Sequence, residues 1–161
     1  MNYTKYDSPV GCLLLASDEG CLTGLWMDER EATDWIFYPS DPVLVQTVSW
    51  LDAYFAGSQP EVQVPVSLPG TAFQRQVWEI LMRIPYGEVR TYGDIARELE
   101  RINGKRMSAQ AVGGAVGKNP VSILVPCHRV VGSGGKLTGY AWGIEKKAWL
   151  LRHEGWKGME I

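Results

Sequence analysis

With 161 residues, 45% hydrophobic and 21% charged side chains and a formal net charge of −2, the chain has the make-up of an ordinary globular protein, large enough for one sizeable domain or two small ones. No apolar run is long enough to span a bilayer, and the start MNYTKYDSPV lacks the basic-then-apolar layout of a secretory signal, so a cytoplasmic protein without a membrane partner is expected. The charge is polarised: residues 1–70 hold Lys5 and Arg30 against ten acidic side chains, a balance of −8, whereas residues 71–161 come to +6, which points any polyanionic partner at the second half.

In chain order, the apolar runs 9–16 and 21–27 flank Ser17-Asp18-Glu19-Gly20 and predict a β-hairpin with a four-residue loop. A further short strand is expected over Trp35–Tyr38. Asp41 followed by Pro42 is a helix start, with the carboxylate as N-cap and proline at the first position. Val43, Leu44, Thr47, Val48, Leu51, Tyr54 and Phe55 then follow at helical spacing, up to Gly57. Residues 58–70 contain three prolines and form the expected linker. Thr71 with Gln74 makes a capping box for a helix carrying Phe73, Val77, Ile80, Leu81 and Ile84 on one face, ended by Pro85-Tyr86-Gly87. Thr91 with Asp94 starts a second helix, and Ser108 caps a third that runs to about Val116. That third helix is built of small residues, including Gly113 and Gly114, each of which weakens a helix by ~1 kcal/mol relative to alanine. Such a helix either lets another backbone come close, as in a DNA-reading helix-turn-helix, or serves tight core packing. A strand over Val121–Val125, a glycine-rich loop over Gly132–Gly135 and a helix over Ile144–Glu154, ended by Gly155, complete the chain. The class is mixed α/β (α+β). An N-terminal sheet-and-helix domain is expected over 1–66 and a mainly helical C-terminal domain over 67–161.

The chemistry concentrates in Ile123–Gly132, ILVPCHRVVG, where Cys127 lies between Pro126 and one of only two histidines. Three cysteines in a chain of this length are no disulfide framework. Cys12 and Cys21 sit in apolar stretches and read as buried small hydrophobes, and with no histidine near them no metal site is expected. Cys127 is different. A free thiol titrates near ~8.5, so a nucleophilic cysteine needs a base or a positive environment, and His128 is at hand, directly or through a water. Neighbours in an extended strand point to opposite faces, so the backbone must turn at Pro126-Cys127.

Pro126-Cys127-His128-Arg129-Val130 resembles the P-C-H-R-V motif of the O6-alkylguanine-DNA alkyltransferases, and further matches spread the likeness over most of Thr71–Gly155. The resemblance implies DNA repair by single-use transfer of the alkyl group of O6-methylguanine, and of O4-methylthymine, onto Cys127, with no cofactor. The partner would be double-stranded DNA held through its minor groove, with the damaged nucleotide flipped out, and the protein would be a monomer. It implies a ribonuclease H-like N-terminal domain packed on a winged-helix-like C-terminal one. Arg152-His153-Glu154-Gly155 falls at the family's H-E-G, which makes Glu154 the group that orients His128, although spacing alone would pair it with Arg152 or Lys157. Asn119, in Gly117-Lys118-Asn119-Pro120, would brace the active-site turn. Tyr92 would help rotate the nucleotide and protonate the departing guanine. Tyr140 would line the base pocket, the carbonyls of Cys127 and Val130 would read the guanine amino group, and the Ala141 N–H would meet O6. Ala109, Gln110 and Gly113 would lie at the DNA, with Arg106 or Lys105 at its backbone and Arg129 counted among the contacts. Gln110 stands where the family inserts an arginine into the stack, a departure that removes the guanidinium charge and plane. Trp142 would narrow the pocket against bulky alkyl groups, or serve only as one of seven tryptophans.

Three competing readings remain. A lesion-sensing relative would lack the cysteine. A cysteine hydrolase would pair Cys127 with His153 and require an oxyanion hole. A plain DNA-binding regulator would leave the Pro-Cys-His run without a purpose.

Overall fold

The computed structural model describes residues 1–28 and 34–158; Arg30 lies outside them. Strands and five α-helices divide into two compact units, Met1–Pro69 with Pro120–Leu124, and Gly70–Asn119 with Val125–Ile161. No helix among the described residues is long and apolar enough to cross a membrane.

The first unit is a four-stranded sheet with one helix. Strands β1 (Asn2–Ser8), β2 (Gly11–Asp18), β3 (Cys21–Trp26) and β4 (Ile36–Phe37) lie in the order β3-β2-β1-β4, antiparallel except for β4 beside β1. The central strand β2 buries Leu13, Leu14, Leu15 and Ala16 in succession, as a strand covered on both faces must. Two expectations are corrected here. The β2–β3 loop is two residues long, not four: the strand runs on through Ser17 and Asp18, and Glu19 (φ 49°) and Gly20 (φ 78°) make the tight turn with positive φ at both positions that suits strand twist. Strand β1 was not foreseen, because NYTKYDS buries only Thr4 and so carries almost no apolar signal. Cys12 and Cys21 are half-buried, less enclosed than expected.

Helix α1 (Pro42–Phe55) turns Val43, Leu44, Thr47, Leu51 and Tyr54 inward. Its N-cap Asp41 accepts from Val43 N at 3.1 Å, Ser17 Oγ at 2.7 Å and Asn2 Nδ2 at 2.9 Å, so one carboxylate ties helix start to sheet. The Asn2 and Ser17 hydrogen bonds hold it below the usual carboxylate range. The expected strand over Val121–Val125 is absent. Val121 forms an isolated bridge with Leu25, and the chain then bends at Ile123, whose φ of 73° is rare and unfavourable for a β-branched residue. The segment reads as a strand because every residue of it is buried, although it pairs only through isolated bridges.

The second unit holds α2 (Ala72–Met82), β5 (Arg90–Thr91), α3 (Tyr92–Asn103), α4 (Ala109–Gly117), β6 (Val130–Val131) and α5 (Ile144–His153), with short 3-10 turns at Cys127–Arg129 and Ser133–Gly135. Both capping boxes form, Thr71 with Gln74 and Thr91 with Asp94, and Ser108 caps α4 through Ala111 N. Gly104, at φ 68°, ends α3 in the left-handed conformation that glycine adopts freely. Glu100 Oε1 accepts from Met107 N at 2.8 Å and so fixes the turn between α3 and α4. Trp78, fully buried on α2, donates to the Ala115 carbonyl at 2.9 Å and seats α4.

Candidate active site

Local rules bring the reactive residues together. Pro126 cannot donate a backbone hydrogen bond and precedes a single 3-10 turn, Cys127–Arg129, in which Arg129 N reaches the Pro126 carbonyl at 3.0 Å. The turn puts Cys127 and His128 side by side, both buried, the imidazole completely. Directly after it, β6 pairs in parallel with β5, Arg90 opposite Val130 and Thr91 opposite Val131, which anchors the start of α3 and thus Tyr92 in register with the cysteine turn. Asn119 Nδ2 donates to the Val125 carbonyl at 2.8 Å and braces the approach to Pro126.

His128 Nε2 lies 2.6 Å from Glu154 Oε2. Arg129 closes on the same carboxylate with two bonds, Nε to Oε1 at 2.7 Å and Nη2 to Oε2 at 3.1 Å, and donates from Nη1 to the Ile84 carbonyl at 2.7 Å. Burial by itself would push Glu154 upward, but the hydrogen bonds and charges of His128 and Arg129 outweigh it and hold the carboxyl well below its ordinary range. An ionised carboxylate only accepts, so His128 Nε2 carries a hydrogen, and in the uncharged ring Nδ1 then holds the lone pair. Nδ1 is buried without a hydrogen-bond partner among the described residues, the state of a nitrogen open to a proton. Burial first, and the positive charges of Arg129 and Lys147 second, lower the proton affinity of His128, although Glu154 opposes them.

Two residues at this site went unrecognised in the sequence. Lys147 is fully buried, its Nζ 2.7 Å from the Gly139 carbonyl and near the faces of Tyr92 and Tyr140, 5.8 and 6.0 Å from the ring centres. Burial brings its ammonium down to about 8, and the charge of Cys127 pulls in the opposite direction. A lysine after another lysine at the start of a helix looks like a solvated face, and only the fold turns it inward. Thr138, the other, hydrogen-bonds the Tyr92 phenol, whose pKa burial raises and this bond lowers.

The other expected residues fall into two groups. Val130 is buried in β6 and its N–H bonds the Cys127 carbonyl; Tyr140 and Trp142 are half-buried and Ala141 exposed in the turn before α5, closed by Gly143 N to the Tyr140 carbonyl at 3.1 Å. Ala109 and Gln110 are exposed at the start of α4 and Arg106 in the turn before it, while Gly113 is half-buried, where an added Cβ would sit 3.8 Å from the Tyr92 ring. Arg129 corrects the reading that grouped it with DNA contacts: its guanidinium is committed to Glu154 and Ile84. His153 stacks on Trp149 with ring centres 4.9 Å apart. Glu154, the C-cap of α5, takes neither Arg152 nor Lys157 as the partner that spacing suggested.

Residues 72–156 match the family model of the 6-O-methylguanine DNA methyltransferase DNA binding domain, and residues 1–68 that of the ribonuclease-like domain of the same family. The methylated-DNA--protein-cysteine methyltransferase of Mycobacterium bovis is 46% identical over 96% of this chain and 92% of its own, and that of Methanosarcina acetivorans 41% identical over 96% and 99%. Among solved structures, Mycobacterium tuberculosis OGT in complex with DNA superposes with a TM-score of 0.86 at 46% identity, covering 96% of this chain and 92% of that one. An enzyme of Methanococcus jannaschii from the same family superposes with a TM-score of 0.67 at 27% identity, covering 94% and 92%. With both family models matched across most of the chain, and relatives 41–46% identical over 96% of it, the chain that carries this buried Cys127, His128 and Glu154 belongs to the 6-O-methylguanine DNA methyltransferase family.

Proposed function

We propose that this protein repairs DNA directly, moving the methyl group of O6-methylguanine, and of O4-methylthymine, onto Cys127 in a single turnover. The observation that carries the reading is the buried carboxylate–imidazole pair, Glu154 Oε2 to His128 Nε2 at 2.6 Å, with the second imidazole nitrogen unpaired among the described residues and the buried Cys127 next to it in the chain. It supplies nucleophile, base and orienting group within one unit.

In the step, the Cys127 thiol gives its proton to His128 Nδ1, directly or through a water. The sulfur forms a bond to the methyl carbon as the carbon–O6 bond breaks. Tyr92 protonates the departing guanine, a better leaving group when neutral, and the proton held on His128 restores the phenol. The raised proton affinity of Tyr92 keeps it protonated, as a donor must be at neutral pH. Lys147 places a positive charge where the sulfur develops a negative one. The products are a thioether and an intact base, and no other group takes part.

A guanine within the duplex stack is out of reach, so the nucleotide is flipped out, which costs a few kcal/mol. Helix α4 suits approach through the minor groove: its exposed residues Ala109, Gln110, Ala111, Gly114 and Gly117 are small or uncharged and let two backbones come close. Gln110 occupies the gap, and Lys105 and Arg106 face the phosphates. Tyr140, Ala141 and Trp142 line the pocket for the flipped base, with Trp142 restricting large alkyl groups. We assign 1–66 and 67–161 to the N-terminal α/β and the DNA-binding alkyltransferase domain, acting as a monomer in the cytoplasm, where DNA is met.

The test is stoichiometry. Duplex with one O6-methylguanine per molecule, titrated with protein, loses one lesion per protein and no more, and Cys127→Ala removes none. Repeated turnover, or repair by Cys127→Ala, would refute the reading.

A further inference from the structure

In the proposed mechanism His128 must be uncharged to accept a proton, yet it lies against a buried carboxylate. An unbalanced carboxylate beside an imidazole favours the charged ring by roughly tenfold to a thousandfold in its protonation equilibrium. An imidazolium has no lone pair and cannot serve as base. Burial of the ring offsets part of this pull, and a balancing charge on Glu154 offsets more.

The groups around the ring are few. From its own turn come Cys127 and Arg129, and from α5 Glu154 and Lys147. Helix α2, also packed against the turn, buries only Val77, Trp78, Ile80 and Leu81, while its Arg75, Glu79 and Arg83 are exposed. Tyr86 stacks near Arg129, 5.7 Å from its guanidinium carbon, and the Gly87 N–H approaches Glu154 Oε1 at 3.4 Å. Of the two cations, Lys147 spends its bond on the Gly139 carbonyl. Arg129 grips the carboxylate with a fork of two bonds that a third bond to Ile84 holds in place.

We propose that Arg129 is a positioning residue of the reaction: by balancing the buried charge of Glu154 it keeps His128 an uncharged base, hydrogen on Nε2 and lone pair on Nδ1. The inference rests on the alkyl-transfer reading for its consequence, but its chemistry is visible without it. With Arg129 in place the carboxylate orients the ring and does not add a second proton. Without it, the same carboxylate becomes the partner of an imidazolium, and the site closes at pH values where the native protein is active.

Two measurements decide. Nitrogen-15 spectra of histidine-labelled protein at pH 7 should show native His128 uncharged with the hydrogen on Nε2, and Arg129→Gln should show both nitrogens protonated. Single-turnover methyl transfer against pH should show the acid limb of Arg129→Gln displaced upward, so that on the native limb the variant is at least about tenfold slower, whereas its alkaline plateau falls far less. Arg129→Lys, which keeps the charge and loses the fork, should hold the limb near its native place at a lower overall rate. An unchanged limb and spectrum in Arg129→Gln overturns the proposal. So does a native His128 already charged at pH 7, a result that stands even if Arg129→Gln does not fold. Native protein that transfers no methyl group but shows the expected spectra would refute the repair reading and leave the role of Arg129 intact.

Discussion

Replacing Lys147 by methionine separates stability from chemistry in this site. The ammonium is fully enclosed, and burial takes it from its usual 10.5 to about 8. At roughly 1.4 kcal/mol for each tenfold in proton affinity, holding that charge inside costs about 3 kcal/mol at neutral pH. Methionine fills a similar volume and removes this cost, but leaves the Gly139 carbonyl without its donor, a loss of about 1–3 kcal/mol. The two effects offset, so the unfolding free energy at pH 7 should change by no more than about 2 kcal/mol. The pH dependence changes more. Because the folded protein releases the Lys147 proton near 8 and the unfolded chain near ~10.4, the unfolded state binds more protons between these values, and native stability rises with pH there. The Lys147→Met variant lacks that contribution. Its reaction should be about ten- to a hundredfold slower, since a charge facing the sulfur is worth about 1–3 kcal/mol at the effective dielectric of a protein interior. Urea unfolding at pH 7 and 9.5, with single-turnover transfer at pH 7, checks all three. A variant that transfers methyl at the native rate, or keeps the native pH dependence of stability, would refute the reasoning.

Glu154→Gln should slow transfer about 10²–10⁴-fold, the range of a lost general base, and destabilise by about 3–5 kcal/mol because it strands the Arg129 charge; quenched-flow transfer and urea unfolding measure the two. The folded His128 binds its proton less readily than the unfolded chain, so it contributes stability above pH ~6.5 that is lost as pH falls below it; thermal unfolding between pH 7.5 and 5 should show a flatter slope in His128→Asn than in the native protein. Asn119→Ala removes one of two donors to the Val125 carbonyl, the Cys127 N–H at 2.8 Å being the other, and should cost about 0.5–1.5 kcal/mol, seen as a lower urea midpoint. Gln110→Arg, on an exposed position, should leave stability within about 0.5 kcal/mol, tighten DNA binding and steepen its salt dependence in fluorescence titrations; unchanged binding would remove Gln110 from the interface.

What the chain reveals on inspection is what neighbours in sequence decide. The starts at Asp41-Pro42, Thr71 with Gln74, Thr91 with Asp94 and Ser108 all form, because a cap needs only residues three or four apart. Strand β1 escaped notice because its pairing partners, not its own side chains, make it a strand. Val121–Val125 shows the opposite, since complete burial gives a segment held by isolated bridges the apolar look of a strand. At the site, Cys127, His128 and Glu154 were legible through motif, and the structure places the second and third in contact. The place of Lys147, and the internal role of Arg129, were not. Both are cations, which in sequence read as surface or DNA-facing, and only their buried partners, Glu154 and the Gly139 carbonyl, give them internal work.

The central claim is that the sulfur of Cys127 is the acceptor. Protein incubated with a duplex carrying a single O6-methylguanine, then digested and weighed peptide by peptide, tests it most directly. One methyl group should appear on the peptide containing Cys127 and none on those containing Cys12 or Cys21. A lesion that disappears with Cys127 unmodified, or a methyl group found on either other cysteine, would contradict it.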